Sequence, residues 1–164
     1  MKEKDNSMEG IMLIHPEKCT GCRSCEMICS FNKKEVFSPH RSRVRVLKLE
    51  EEGIDLPMMC MHCQDPVCSD VCPTGAIWKE ENGIVKLDPS LCRGCHACMV
   101  VCPFGAISIE DGCVVKCDLC EGDPQCVKWC VTGALEFVRA DRAKMKLLER
   151  KAEAIIKSLQ GQKP

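Results

Sequence analysis

Cys92-Arg93-Gly94-Cys95-His96-Ala97-Cys98-Met99-Val100-Val101-Cys102-Pro103 sets four cysteines at the spacing C-x2-C-x2-C-x3-C. Thiols crowded this closely in that order are the ligand run of a [4Fe-4S] cluster, in which the fourth cysteine ligates the other cluster of a pair. The same spacing recurs at Cys19, Cys22, Cys25 and Cys29. Two looser quartets complete the set: Cys60, Cys63, Cys68, Cys72 and Cys117, Cys120, Cys126, Cys130. Sixteen of the seventeen cysteines are thereby placed, and four quartets predict four clusters.

Thiolate is also the soft ligand of zinc and copper(I), so composition leaves the metal open and spacing decides it. Zinc ribbons present two C-x2-C knuckles a dozen or more residues apart, whereas here a third and a fourth cysteine follow at once. A third arrangement is also present. Cys113, Cys117 and Cys120 spell C-x3-C-x2-C, the spacing of radical S-adenosylmethionine enzymes. Cys117 and Cys120 already belong to a quartet, and the chain is short for the barrel of roughly 200 residues that such chemistry occupies. Cys113 is read as a small buried hydrophobe on a strand.

Composition supports a fold held by its metal. Cysteine supplies 17 of the residues behind the 45% apolar fraction, leaving roughly 35%, a thin core. There are four Phe, two Trp and no Tyr, so the large side chains that dominate burial are scarce. Metal ligation is expected to replace packing, with a largely unfolded apoprotein. The formal net charge of -1 becomes more negative once thiolates are formed, which gives nucleic-acid binding no support. Residues 1–10 are polar and charged, with no apolar signal core or twin arginine, so the chain is read as cytoplasmic. No window approaches the roughly 20 apolar residues of a membrane span, so no direct membrane insertion is expected. In a reducing compartment these cysteines are metal ligands rather than disulfides.

The chain carries an internal repeat. Cys72-Pro73-Thr74-Gly75-Ala76-Ile77, Cys102-Pro103-Phe104-Gly105-Ala106-Ile107 and Cys130-Val131-Thr132-Gly133-Ala134-Leu135 each follow the last cysteine of a quartet with a glycine turn and then a short apolar strand. The first quartet departs, continuing Cys29-Ser30-Phe31-Asn32, as an end repeat can. Gly83 to Leu87 and Gly112 to Lys116 are predicted to pair with the strand before each, through tight two-residue turns at Asn82-Gly83 and Asp111-Gly112. Ser42 to Leu49 reads as a strand with Arg43 and Arg45 on one face and Val44 and Val46 on the other. With Arg41 and Lys48 it makes a local basic run, read as a solvated strand face or, alternatively, as a docking or cluster-screening surface. From Asp141 the spacing of Met145, Leu148, Ala152, Ile155, Ile156 and Leu159 predicts an amphipathic helix closed by Gly161 and Pro164. It packs on the protein's own surface or docks on a partner.

His62 and His96, inside quartets, are placed to donate hydrogen bonds near a cluster, and His15 and His40 fall in loops. Trp129 is expected to pack against sulfur. No quartet lacks a cysteine, so neither imidazole ligation nor an open metal position for catalysis is indicated.

Cys60-Met61-His62-Cys63, Pro66-Val67-Cys68, Cys72-Pro73-Thr74-Gly75-Ala76 and Lys116-Cys117-Asp118-Leu119-Cys120 make the chain resemble the four-cluster ferredoxin-type electron-transfer subunits of molybdenum and tungsten oxidoreductases. This family includes the beta subunits of formate dehydrogenase and DMSO reductase, and the likeness runs from Ile14 to Val138. The resemblance implies an α+β fold of two interlocked bacterial-ferredoxin-like halves with short hairpins and short helices. One half is 11–50 with 112–140 and the other 55–111, followed by a helix at 141–160, with 1–10 and 161–164 as flexible termini. It also implies that the first motif pairs with the fourth and the second with the third. The ligand sets are then Cys19, Cys22, Cys25 with Cys130; Cys60, Cys63, Cys68 with Cys102; Cys72 with Cys92, Cys95, Cys98; and Cys29 with Cys117, Cys120, Cys126.

The resemblance further implies a non-catalytic subunit that relays single electrons between a catalytic partner and a distant acceptor. The favoured partner is a tungsten or molybdenum pterin enzyme of the aldehyde oxidoreductase type. Carbon monoxide dehydrogenase, hydrogenase and formate dehydrogenase modules are alternatives, and self-association or a further acceptor subunit is also compatible. A reading of a different class is a zinc-stapled or Fe-S redox-sensing interaction module.

Overall fold

The computed structural model describes residues 10–160. In chain order the elements are β1 (Gly10–Ile14), α1 (Ser24–Lys34), β2 (Val44–Leu49), β3 (Ile54–Met59), α2 (Val67–Asp70), β4 (Ile77–Lys79), β5 (Val85–Leu87), α3 (Ala97–Val101), β6 (Ile107–Glu110), β7 (Cys113–Lys116), α4 (Gln125–Lys128), β8 (Leu135–Arg139) and α5 (Ala140–Gln160). The fold is α+β. Residues 1–9 and 161–164, expected to be flexible termini and in part to close the last helix, lie outside the described residues.

The strands form four separate antiparallel pairs: β1–β8, β2–β3, β4–β5 and β6–β7. Two of these are the hairpins expected from the Gly-containing turns. Asp111 and Gly112, at φ 51 and 80, make a two-residue turn closed by the pair Glu110 and Cys113. That double left-handed conformation matches the twist of the flanking strands. The turn between β4 and β5 differs from expectation. The Glu80 amide donates to the Ile84 carbonyl at 2.9 Å and the Gly83 amide to the Glu80 carbonyl at 2.9 Å, leaving three residues in the loop. The Asn82 side chain accepts from the Ile84 amide at 3.0 Å, which holds the longer loop together.

β1 and β8 join segments far apart in the chain, with Gly10 opposite Arg139 and Ile14 opposite Leu135. The His15 amide extends the pairing to the Ala134 carbonyl at 2.8 Å. This pairing draws the fourth cysteine motif onto the first.

Cysteine is part of both cores. One gathers Met12, Val44, Val46, Met59, Ile84, Leu119 and Leu135 around Cys25, Cys29 and Cys126. The other gathers Ile77, Val85, Ile107 and Val114 around Cys98. Glu26, 3% exposed, fastens α1 to β2 by accepting the Val46 amide at 2.7 Å, so its buried carboxylate is satisfied.

α5 packs on β1 and β8 through its first turns, where Ala143 is buried. Lys146 pairs with Glu136, and Arg150 donates to the Ile14 carbonyl at 3.1 Å. Met145, Leu148, Ile155 and Ile156, the predicted apolar stripe, are exposed rather than packed on the protein's own surface. The polar and small residues of the helix make its contacts instead.

Candidate metal centres

Three cavities are each lined by four cysteines. Cys72, Cys92, Cys95 and Cys98 line a space of about 340 Å³. Cys60, Cys63, Cys68 and Cys102 line one of about 360 Å³. Cys29, Cys117, Cys120 and Cys126 line a third of about 340 Å³. In every case three thiols come from one sequence motif and the fourth from another. Of the remaining four, Cys25 is acted on by Cys22 and Cys130, and Cys19, Cys25 and Cys130 belong to the same core.

The backbone explains how two motifs share each site. In the first and third motifs a left-handed glycine (Gly21 and Gly94, both φ 64) precedes a left-handed non-glycine residue (Arg23 at φ 58, His96 at φ 60) before a helix begins. Chain wound in this way turns amides inward and makes a concavity that favours an anion. A Cβ on Gly94 would lie 2.8 Å from the Gly112 carbonyl oxygen, so no larger residue fits the turn. α1 carries both Cys25 and Cys29, and α3 carries Cys98 and leads into Cys102, so each helix spans two thiol quartets. After the last cysteine of the second, third and fourth motifs the chain bends alike: the amides of Gly75, Gly105 and Gly133 donate to the carbonyls of Cys72, Cys102 and Cys130 at 3.2, 3.2 and 3.1 Å.

Electrostatics follow the grouping in part and cross it where Cys60 acts on Cys117 and Cys25 on Cys126. Burial, above all, pushes the Cys25 thiol up to about 12, with Glu26, Cys22 and Cys130 adding to it. Burial likewise pushes Cys117 up to about 12, with Cys60 and Cys29 adding. Burial and then Cys117, Cys29, Cys120 and Cys25 raise Cys126; burial, Cys60 and Cys102 raise Cys63; burial, Cys72 and Cys95 raise Cys98. Thiols packed against one another out of water resist ionising alone, and a strongly charged metal group is what draws the thiolates out.

The donor set distinguishes between metals. A tetrahedral zinc would require four sulfurs about 2.3 Å from one centre, whereas these quartets surround a space. They fit a polynuclear iron-sulfur group.

Amide and side-chain donors face the sulfurs. The Arg43 amide donates to Cys29 Sγ at 3.3 Å, the Leu119 amide to Cys117 Sγ at 3.4 Å, and Asn32 Nδ2 to Cys120 Sγ at 3.5 Å. The Thr74 hydroxyl lies 3.6 Å from Cys72 Sγ and the Thr132 hydroxyl 3.7 Å from Cys130 Sγ. These threonines were legible as the shared Cys-x-Thr of two repeats. Lys33 and Arg43 line the Cys29 cavity. The solvated-face reading fails for Arg43, which is only 14% exposed and reaches Glu110 at 3.5 Å; the carboxylate from β6 draws it inward. Arg45 donates to the Pro39 and His40 carbonyls.

His62 accepts the Val85 amide on Nδ1 at 2.9 Å, and its buried Nε2 has no protein partner. Burial, then the Lys116 ammonium, lower its pKa to about 3, while Asp118 opposes them. His62 is therefore neutral with its proton on Nε2. His96 also has a buried Nε2 without a protein partner and lines the Cys72 cavity. His15 lies in the loop after β1, as expected, but is 6% exposed, with Nε2 3.2 Å from Glu136 Oε2. Trp129 is 57% exposed rather than packed on sulfur, since the single turn of α4 directs Cys126 inward. Cys113 opposes Glu110 at the end of its hairpin and lines none of the three cavities. Cys113→Ser is expected to leave iron per chain unchanged by metal analysis; loss of iron would make it a ligand.

The 4Fe-4S dicluster domain matches residues 52–140, and a second 4Fe-4S dicluster domain matches residues 18–77. The chain belongs to the 4Fe-4S dicluster family. This dicluster protein is 42% identical over 122 residues to the polyferredoxin-like subunit of an aliphatic sulfonate oxidoreductase from Pyrococcus furiosus, covering 73% of this chain and 70% of that one. It is 33% identical to the thiosulfate reductase electron transfer subunit of Salmonella typhi, over 82% of this chain and 78% of that one. It is 34% identical to the B subunit of the anaerobic dimethyl sulfoxide reductase of Escherichia coli, over 81% and 75%. Like these relatives it is a non-catalytic iron-sulfur subunit for electron transfer in an oxidoreductase complex. No helix of the described residues is long and apolar enough to cross a membrane.

Proposed function

We propose that this dicluster protein holds four [4Fe-4S] clusters and serves as an electron wire between a catalytic subunit and a distant acceptor. The observation that carries this reading is that three cavities are each lined by four cysteines in a three-plus-one arrangement. The proposed ligand sets are Cys19, Cys22, Cys25, Cys130; Cys60, Cys63, Cys68, Cys102; Cys72, Cys92, Cys95, Cys98; and Cys29, Cys117, Cys120, Cys126. The halves are residues 11–50 with 112–140, and 55–111. When bound, such clusters supply one-electron chemistry over roughly -700 to +450 mV, set by charge, hydrogen bonding and exposure.

The chain's own residues tune that range. Lys33 and Arg43 place cations against the Cys29 quartet, and the donors from Asn32, Arg43 and Leu119 stabilise negative charge on sulfur. His62 and His96 each hold one buried imidazole nitrogen available to a neighbouring sulfur. All sixteen thiolates are committed to ligation, so the chain offers no open metal position, and bond-making belongs to the partner.

For that partner the reading favours a tungsten or molybdenum pterin enzyme of the aldehyde oxidoreductase type in the cytoplasm of an anaerobe. Support for the tungsten choice comes from the resemblance of the arginine-bearing segment between the first two motifs, and support for an oxidoreductase partner from relatives that serve sulfonate, thiosulfate and dimethyl sulfoxide oxidoreductases. The test is anaerobic purification of the tagged chain with metal analysis of whatever copurifies. A stoichiometric catalytic subunit containing tungsten or molybdenum is expected, and its substrate should bleach the chain's iron-sulfur absorbance. A partner without either metal would overturn the choice of enzyme.

A further inference from the structure

Lys116 closes β7 immediately before Cys117 and is 3% exposed. Its ammonium donates to the Cys117 carbonyl at 2.7 Å and to the Val85 carbonyl. Among the described residues it forms no ion pair with a carboxylate. A buried cation without a counter-ion is costly, and it persists where something anionic compensates it.

Its surroundings name the compensating groups. Lys116 immediately precedes Cys117, which lines the cavity of the Cys29 quartet, and Val85, whose carbonyl takes the same ammonium, lines the cavity of the Cys60 quartet. These two quartets meet at Lys116. The Val85 peptide is held there from both sides: its amide donates to His62, from the second motif, and its carbonyl accepts from Lys116, from the fourth. Val85 itself is 1% exposed, so the ammonium is fixed in place and shielded from solvent, where a charge acts most strongly.

We propose that Lys116 is the shared counter-charge of the Cys60 and Cys29 quartets and the positioning residue that raises the reduction potentials of the groups they hold, at the crossing between the two halves. This rests on the cluster reading above. A positive charge fixed beside an anionic group favours its reduced, more negative state. Lys116 forms and breaks no bond in this role.

The test uses the full chain in three variants, Lys116→Met, Lys116→Gln and Lys116→Arg, with iron analysis and an EPR-monitored redox titration. Met and Gln are expected to lower two of the four midpoint potentials, each by roughly tenfold in the reduction equilibrium, about 59 mV for a one-electron couple. The other two stay in place, and Arg restores all four. Fully loaded Met and Gln variants in which no potential moves, or in which all four move together, would overturn the proposal. Loss of iron in Met and Gln with retention in Arg supports it, since charge is then what the site needs. Loss of iron in all three shows a role in shape rather than charge and overturns it. Iron far below about sixteen per native chain would refute the four-cluster reading instead of this inference.

Discussion

Cys130→Ser is expected to remove about four of about sixteen irons per chain, and the loss falls on the group assigned to Cys19, Cys22 and Cys25 rather than on the motif that contains the substitution. The physical cause is the pairing of β1 with β8. β8 follows Cys130 directly and lies against β1, which leads into Cys19. The Cys130 and Cys25 sulfurs are close enough for the charge of one to raise the pKa of the other. A serine hydroxyl ionises far less readily than a thiol and is a poor soft ligand. Cys117, Cys120 and Cys126 should keep their own group with Cys29. Iron analysis with EPR of the reduced variant reads both results. Loss of the Cys117 signal instead would mean that each motif holds its cluster alone.

Removing iron is expected to abolish cooperative folding of the whole chain. Both cores are assembled around cysteines, and Cys25, Cys29, Cys98 and Cys126 are themselves core residues. The strand pairs are isolated two-stranded units, which are marginal in water unless something packs against them. A domain is stable by only about 5–15 kcal/mol, while metal binding in small metal-stapled domains contributes about 10–16 kcal/mol. Loss of the metal term is therefore comparable to the whole net stability of a domain. Far-UV circular dichroism and limited proteolysis before and after anaerobic chelation are the measurement. Native-like protection in the iron-free chain would show that the apolar residues suffice.

The quartets, the β4–β5 and β6–β7 hairpins and the last helix were legible because each depends on residues close in sequence. The Asp111-Gly112 turn needs only its own two residues, whereas the loop at Asn82-Gly83 is one residue longer than its sequence suggests because the Asn82 side chain ties back to Ile84. The β1–β8 pairing is different: Gly10 and Arg139 meet through the fold, and no local pattern announces it. β3 was hidden by Pro57, tolerated because β2–β3 is a two-stranded pair with a free edge. Arg43 looked like a solvated cation by type, and nothing local marked Lys116 as buried. Their burial follows from contacts with Glu110 and with the Val85 carbonyl, far away in the chain. The stripe of α5 was correctly periodic, but periodicity does not say which side of a helix meets the protein, and Ala143 rather than Met145 or Leu148 does so.

The most direct test of the central claim is the metal and sulfide content of the anaerobically purified chain. About sixteen irons and about sixteen acid-labile sulfides per chain, with interacting [4Fe-4S]+ signals on reduction, are expected. About four zinc ions per chain, no sulfide and no colour would contradict it.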